Sequence, residues 1–140
     1  FFGTVISFGP MASHILALFV STLLVVSATS ATVSWIVPAG GGPLPAQTVA
    51  VGDAVQFSGD SGSHNLWQVS STSCSTTGGT ELQAATTNLA YTWTPTATGT
   101  YHFICTVSGH CSAGQKVTIT VTAASSTSPA ASPATSPTSP

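Results

Sequence analysis

Charge is what this chain has least of. Its 140 residues include one Lys or Arg and three Asp or Glu, for a net charge of −2. Nucleic-acid binding needs clustered Lys and Arg to neutralise phosphates. Lys116 is the sole basic residue, so no nucleic-acid partner is expected. Attachment to an anionic membrane surface through a basic patch fails for the same reason. Carboxylates are as scarce: Asp53, Asp60 and Glu81 are the full set. None has an evident acid–base partner in the sequence, no hydrolytic constellation is visible, and enzymatic activity is not expected. Asp53, beside Gly52, reads as a turn residue. The chain also lacks any Asn-x-Ser/Thr site, so N-glycosylation is not expected.

Long hydrophobic runs are missing everywhere but near the front. Residues 15–26 form an apolar stretch after Met11, and the small residues 27–31 follow it. This pattern reads as a secretory signal peptide with cleavage near Ala31, His14 standing where Lys or Arg is usual. Residues 1–10 read as translated upstream sequence. An uncleaved membrane anchor is the alternative, although the run is short for a bilayer span. From residue 123 onward the chain is Ser, Thr, Pro and Ala, which cannot bury a core. The expected organisation is therefore 1–31 leader, 32–122 folded domain and 123–140 tail. A domain of about 90 residues suffices for one small core.

Within that domain the hydrophobic period is two. Residues 116–122 alternate strictly, with Val117, Ile119 and Val121 on one face. Residues 49–57 alternate around a Gly-Asp turn, which predicts the end of one strand and the start of another. Residues 66–69, 89–94 and 100–107 read as further strands, and 33–37 as the first. Gly-, Ser- and Thr-rich turns lie between them, and 39–45 is a Gly- and Pro-rich loop. No amphipathic helix is predicted. Many short strands joined by turns mean an all-β sandwich or barrel. Phe57, Trp93, Tyr101 and Phe103 are expected to fill it. Core packing is also the expected role of Trp67, although its nearness to His64 leaves a place beside the site open.

Three cysteines are present: Cys74, Cys105 and Cys111. An odd count in a secreted chain leaves one thiol over. If Cys105 points into a metal site, Cys74 and Cys111 remain to pair. The plain alternative is one structural disulfide and one buried thiol. The run from Cys105 through His110 and Cys111 to Gln115 gives the metal reading its weight. With His64 upstream it supplies a thiolate, two imidazoles and a weak axial oxygen, which is a blue-copper ligand set. Taken singly, His64, His110 and Gln115 could each be an ordinary loop residue; their order on a β pattern favours metal. Zinc would want a fourth strong ligand. A Cys105–His110 nucleophile is the remaining option. His102 is out of phase with Phe103 and Cys105 and should face away from the site. Asn65 reads either as a turn residue or as a tie between the two ligand-bearing segments.

The Cys-x4-His-x4-Gln spacing, with a cysteine directly after the histidine, resembles the phytocyanins, plant blue-copper proteins of the cupredoxin fold. The segments around Val51-Gly52-Asp53, Ser63-His64-Asn65 and Cys74 resemble the same family in the same order. Glutamine in the axial place is similar to the stellacyanin type. The resemblance covers residues 49–121 and implies a Greek-key β-sandwich of seven to eight strands. It implies one type 1 copper ion held by His64, Cys105 and His110 with Gln115 axial, and a Cys74–Cys111 disulfide. Where family members carry more aromatic residues ahead of the Val-Gly-Asp segment, this chain is short and rich in Gly and Pro.

The function expected from these readings is one-electron transfer outside the cell. The alternative is a structural or signalling cell-wall module in which copper is incidental. The Ser-Pro repeats of the tail resemble plant wall glycoprotein segments and suggest cell-wall or membrane association. The redox partner is not legible. Sparse charge argues against electrostatic steering, and an apolar face around His110 is the expected docking surface.

Overall fold

A computed structural model describes residues 29–125. The expected signal peptide, apart from its last residues, and the Ser/Pro-rich tail beyond residue 125 lie outside the described residues. Within them are eight strands and no helix: β1 (Ser30–Ser34), β2 (Gln47–Ala50), β3 (Ala54–Ser58), β4 (Ser63–Val69), β5 (Thr80–Thr87), β6 (Ala90–Trp93), β7 (Gly99–Ile104) and β8 (Lys116–Thr122).

The strands form two sheets, ordered β1-β3-β6 and β2-β8-β7-β4-β5. The β1–β3 and β2–β8 pairs are parallel and the others antiparallel. One apolar face of each sheet packs against the other in the main core, and a smaller cluster lies beside it on the larger sheet. Val33, Val55 and Phe57 enter from the smaller sheet; Val49, Leu66, Phe103, Val117, Ile119 and Val121 enter from the larger one. The alternation of β8 is the simplest case. Val117, Ile119 and Val121 are buried and Thr120 and Thr122 are exposed, as a pleated strand over a core requires. Phe57 sits between Trp35 and Phe103, with centroids 5.3 and 5.0 Å away. Trp93 packs edge-on against Tyr101 and Phe103. The expected β-sandwich and its aromatic core are present.

Three details differ from expectation. The first strand runs Ser30–Ser34 rather than 33–37, because its partner is Ala54–Ser58 in parallel register. It therefore begins ahead of residue 32, where the domain was expected to start. Residues 80–87, read as turn, form β5 at the edge of the larger sheet. That strand is mostly exposed, so it carries no apolar alternation to betray it. Strand β7 ends at Ile104, so Cys105 lies just past the strand rather than within it.

The Gly-Asp turn behaves as read. Asp53 accepts the Ala50 amide at 2.9 Å and the Thr29 amide at 3.2 Å. The Ala50 amide first, then the Thr29 side chain and amide, hold the Asp53 carboxyl below the usual carboxylate range.

Candidate metal centre

The end of the larger sheet gathers the chemistry. His64 is near the start of β4, Cys105 follows β7, and Gln115 precedes β8. Strands β4 and β7 are antiparallel neighbours, so the start of one lies beside the end of the other. Their ladder stops at Trp67 and Ile104. Beyond it the Asn65 side chain takes over: Oδ1 accepts the Thr106 amide and Nδ2 donates to the Thr106 hydroxyl, both at 2.7 Å. Of the two readings left open for Asn65, the geometry is that of the tie. Across the other flank, the Cys105 amide donates to the Gln115 carbonyl at 3.1 Å and so extends the β7–β8 pairing by one step.

The loop between Cys105 and Gln115 is closed by its own backbone. His110 donates to Val107 at 3.0 Å, Ala113 to Gly109 at 2.9 Å and Gln115 to His110 at 2.9 Å. Gly114, at φ +105°, packs against the 38–44 loop. A Cβ there would overlap the Gly42 carbonyl, so no other residue fits. A disulfide joins Cys74 to Cys111 and ties the loop to the segment after β4.

His64, Cys105 and His110 come together, and one ligand atom from each lies within 4.8 Å of the others. His64 and Cys105 are buried and His110 is half-buried. The Cys105 sulfur is 3.5 Å from His110 Nδ1. Burial pushes the Cys105 thiol up, partly offset by the Asn65 and Val107 amides. A metal that binds here must therefore displace a proton.

Gln115 is fully buried and completes the group. Its Nε2 donates to the Trp35 carbonyl at 2.9 Å, which assigns the amide orientation. Its Oε1 is thereby left facing His64 Nδ1 at 3.0 Å. The other ring nitrogen of His64, Nε2, is 2.8 Å from Asp60 Oδ1. Both neighbours of the ring are acceptors, yet a neutral imidazole has one N–H. With that proton facing Asp60, the lone pairs of Nδ1 and Oε1 oppose each other. A second proton on the ring removes the repulsion, and so does a cation shared by Nδ1 and Oε1. The donor set of one thiolate, two imidazoles and one carbonyl oxygen suits copper.

The sequence matches the plastocyanin-like domain family over residues 44–115, a range that holds His64, Cys105, His110 and Gln115. The chain belongs to that family. No curated protein sequence matches it. Among solved structures this plastocyanin-like domain is similar to cucumber stellacyanin with Cu2+ at pH 7.0, at 25% identity, with 69% of this chain and 100% of that one covered and a TM-score of 0.48. It is similar to spinach plantacyanin at 21% identity, covering 67% of this chain and 100% of that one, with a TM-score of 0.49. A methionine-to-alanine mutant of amicyanin in its Cu(I) form gives 22% identity, 68% and 82% coverage and a TM-score of 0.46.

Three residues of this plastocyanin-like site have no assigned role in the sequence reading. Asp60 stands there as a carboxylate without a partner; in the fold it pairs with His64 and is held below the usual carboxylate range by that hydrogen bond and the Gly62 amide. Its place four residues before a candidate ligand, in a chain with three acidic residues, was the available signal. Trp35 is fully buried; its Nε1 donates to the Asn65 carbonyl at 2.9 Å while its own carbonyl orients Gln115. Thr106 takes part in both Asn65 bonds. His102 points elsewhere, toward the Thr118 hydroxyl at 3.0 Å on β8. Trp67 packs with Val69, Ile104 and Cys111 in a satellite cluster.

Proposed function

We propose that this protein is a blue-copper electron carrier. It holds one type 1 copper ion between His64, Cys105 and His110, with Gln115 as the weak fourth donor. The observation that carries the reading is the convergence of those three ligand atoms within 4.8 Å, beside a Gln115 oxygen locked toward His64. Copper supplies the one-electron couple, and everything else falls to the chain. Asn65 and the β7–β8 pairing keep the two ligand-bearing segments in register. Trp35 fixes the Gln115 amide. Burial of His64 and Cys105 keeps water from the ligand atoms, and a ligand set that moves little between oxidation states suits a carrier.

The half-buried edge of His110 is the exchange face, and docking there is short-range because the chain has almost no charge to steer a partner. The place of work is outside the cell. The leader-like residues 1–31 and the Cys74–Cys111 disulfide support an oxidising compartment, and the Ser/Pro-rich tail supports association with the wall or membrane.

The test is the visible absorption spectrum of the full chain with Cu(II), beside a Cys105→Ser variant. An intense blue band in the parent that is absent from the variant is the expected outcome. A folded parent without the band would sink the carrier reading and leave the structural cell-wall module in its place.

A further inference from the structure

The loop ahead of β4 is built around the outer edge of His64. Asp60 Oδ1 sits 2.8 Å from His64 Nε2 and also accepts the Gly62 amide at 2.8 Å. The loop is pinned independently of the ring. Gly59 donates to the Leu89 carbonyl, and Asn88 donates to the carbonyl of Asp60, both at 2.7 Å. Asn88 takes a left-handed φ of 52° at that bond. Room for the contact comes from Gly62: a Cβ there would stand 2.8 Å from Asp60 Oδ1 and 3.0 Å from His64 Nε2. Any larger residue would be driven into the pair.

The geometry points to Asp60 as the positioning residue of the metal centre: its carboxylate holds the His64 proton on Nε2 and thereby presents Nδ1, unprotonated, toward Cys105 and Gln115. The inference deepens the copper reading above and rests on it for its redox consequence. A carboxylate on the far nitrogen of a ligating histidine fixes the ring and its tautomer and makes it a stronger donor. The more highly charged Cu(II) gains more from that donor than Cu(I) does. Asp60 therefore works in the same direction as the Gln115 oxygen, toward the oxidised state. Its side chain is 58% exposed, so solvent screens its charge and the effect belongs at the low end of the usual range. For His110, the ring contact seen is with the Cys105 sulfur, so the two imidazoles differ in what holds their rings.

Two variants of the full chain separate charge from contact. Asp60→Asn keeps an oxygen for the Gly62 amide and loses the charge; Asp60→Ala loses both. In the metal-free parent, 15N NMR at a pH where imidazoles are neutral should find His64 as the Nε2–H tautomer, and Asp60→Ala should turn it into a mixture. Cu(II) affinity should fall about tenfold in Asp60→Asn and further in Asp60→Ala, with a smaller loss for Cu(I). Each tenfold difference between the two losses raises the reduction potential by about 59 mV. An Nδ1–H tautomer in the metal-free parent would overturn the assignment. So would Cu(II) and Cu(I) affinities in both variants equal to those of the parent. A parent that takes up no copper would fail the carrier reading alone, because the tautomer measured without metal still decides the role of Asp60.

Discussion

The two candidate ligand histidines live in different surroundings. His64 is 2% exposed and has an acceptor at each ring nitrogen. It stands on a strand whose neighbour is tied to it through Asn65. His110 is half-buried, sits on a turn, and meets the Cys105 sulfur through Nδ1. Their rings are 5.1 Å apart and tilted by 46°. The difference teaches a division of labour. His64 belongs to the wall of the site and sets its geometry, while His110 closes the site and gives it an edge toward the outside.

Replacing each ring in turn tests that division most severely. His64→Gly and His110→Gly should both lose the blue band, because each removes one strong ligand. Millimolar imidazole should restore the band in His110→Gly, where the gap opens outward. His64→Gly should stay colourless, since its gap is closed by Asp60, Gln115 and the β3–β4 loop. Equal rescue of both variants by imidazole, read in the visible spectrum, would erase the distinction.

The site was legible in the sequence where its parts are local. Cys105, His110 and Gln115 share one loop, so their spacing, taken with His64 upstream, was enough to raise the metal reading. The alternation of β8 shows for the same reason, as a pleated strand over a core repeats every second residue. What the sequence hid was long-range or unpatterned. Trp35 meets Gln115 across 80 positions and Asn65 across 30, and no local signal announces either bond. Strand β5 buries too little to show a period. Asp60 was visible as a residue, but only the fold of the 59–62 loop brings its carboxylate onto His64. Residues 1–28 and 126–140, on which the leader and tail readings mostly rest, lie outside the described residues.

The disulfide sharpens the comparison from the His110 side, because Cys111 adjoins that histidine. Closing a loop of sequence separation 37 is worth about 4 kcal/mol by chain entropy. A Cys74→Ser/Cys111→Ser double variant should therefore melt at a temperature lower by roughly 15–30 °C for a domain this small. The loosening should be local to the loop. Calorimetry gives the stability, and NMR of the two imidazoles should show His110 broadened while His64 keeps its Nε2 proton. A variant with unchanged stability, or with both rings equally disturbed, would mean that the loop is held by its backbone bonds alone.

The smallest expected effect lies on the His64 side, at Gln115. Exchanging it for methionine removes the oxygen that faces His64 Nδ1 and the N–H that satisfies the Trp35 carbonyl. An amide oxygen is a harder donor than a thioether and favours Cu(II), so Gln115→Met should raise the reduction potential. The change should also leave a buried carbonyl without its donor, at a cost of about 1–2 kcal/mol. The two readouts separate two roles of one side chain. A potential that rises with stability intact would mean that Trp35 finds another donor and that Gln115 acts through its oxygen alone. A loss of stability with an unmoved potential would make Gln115 a packing element of the His64 wall. A fall in potential would contradict the axial assignment, because the softer donor should favour the reduced ion.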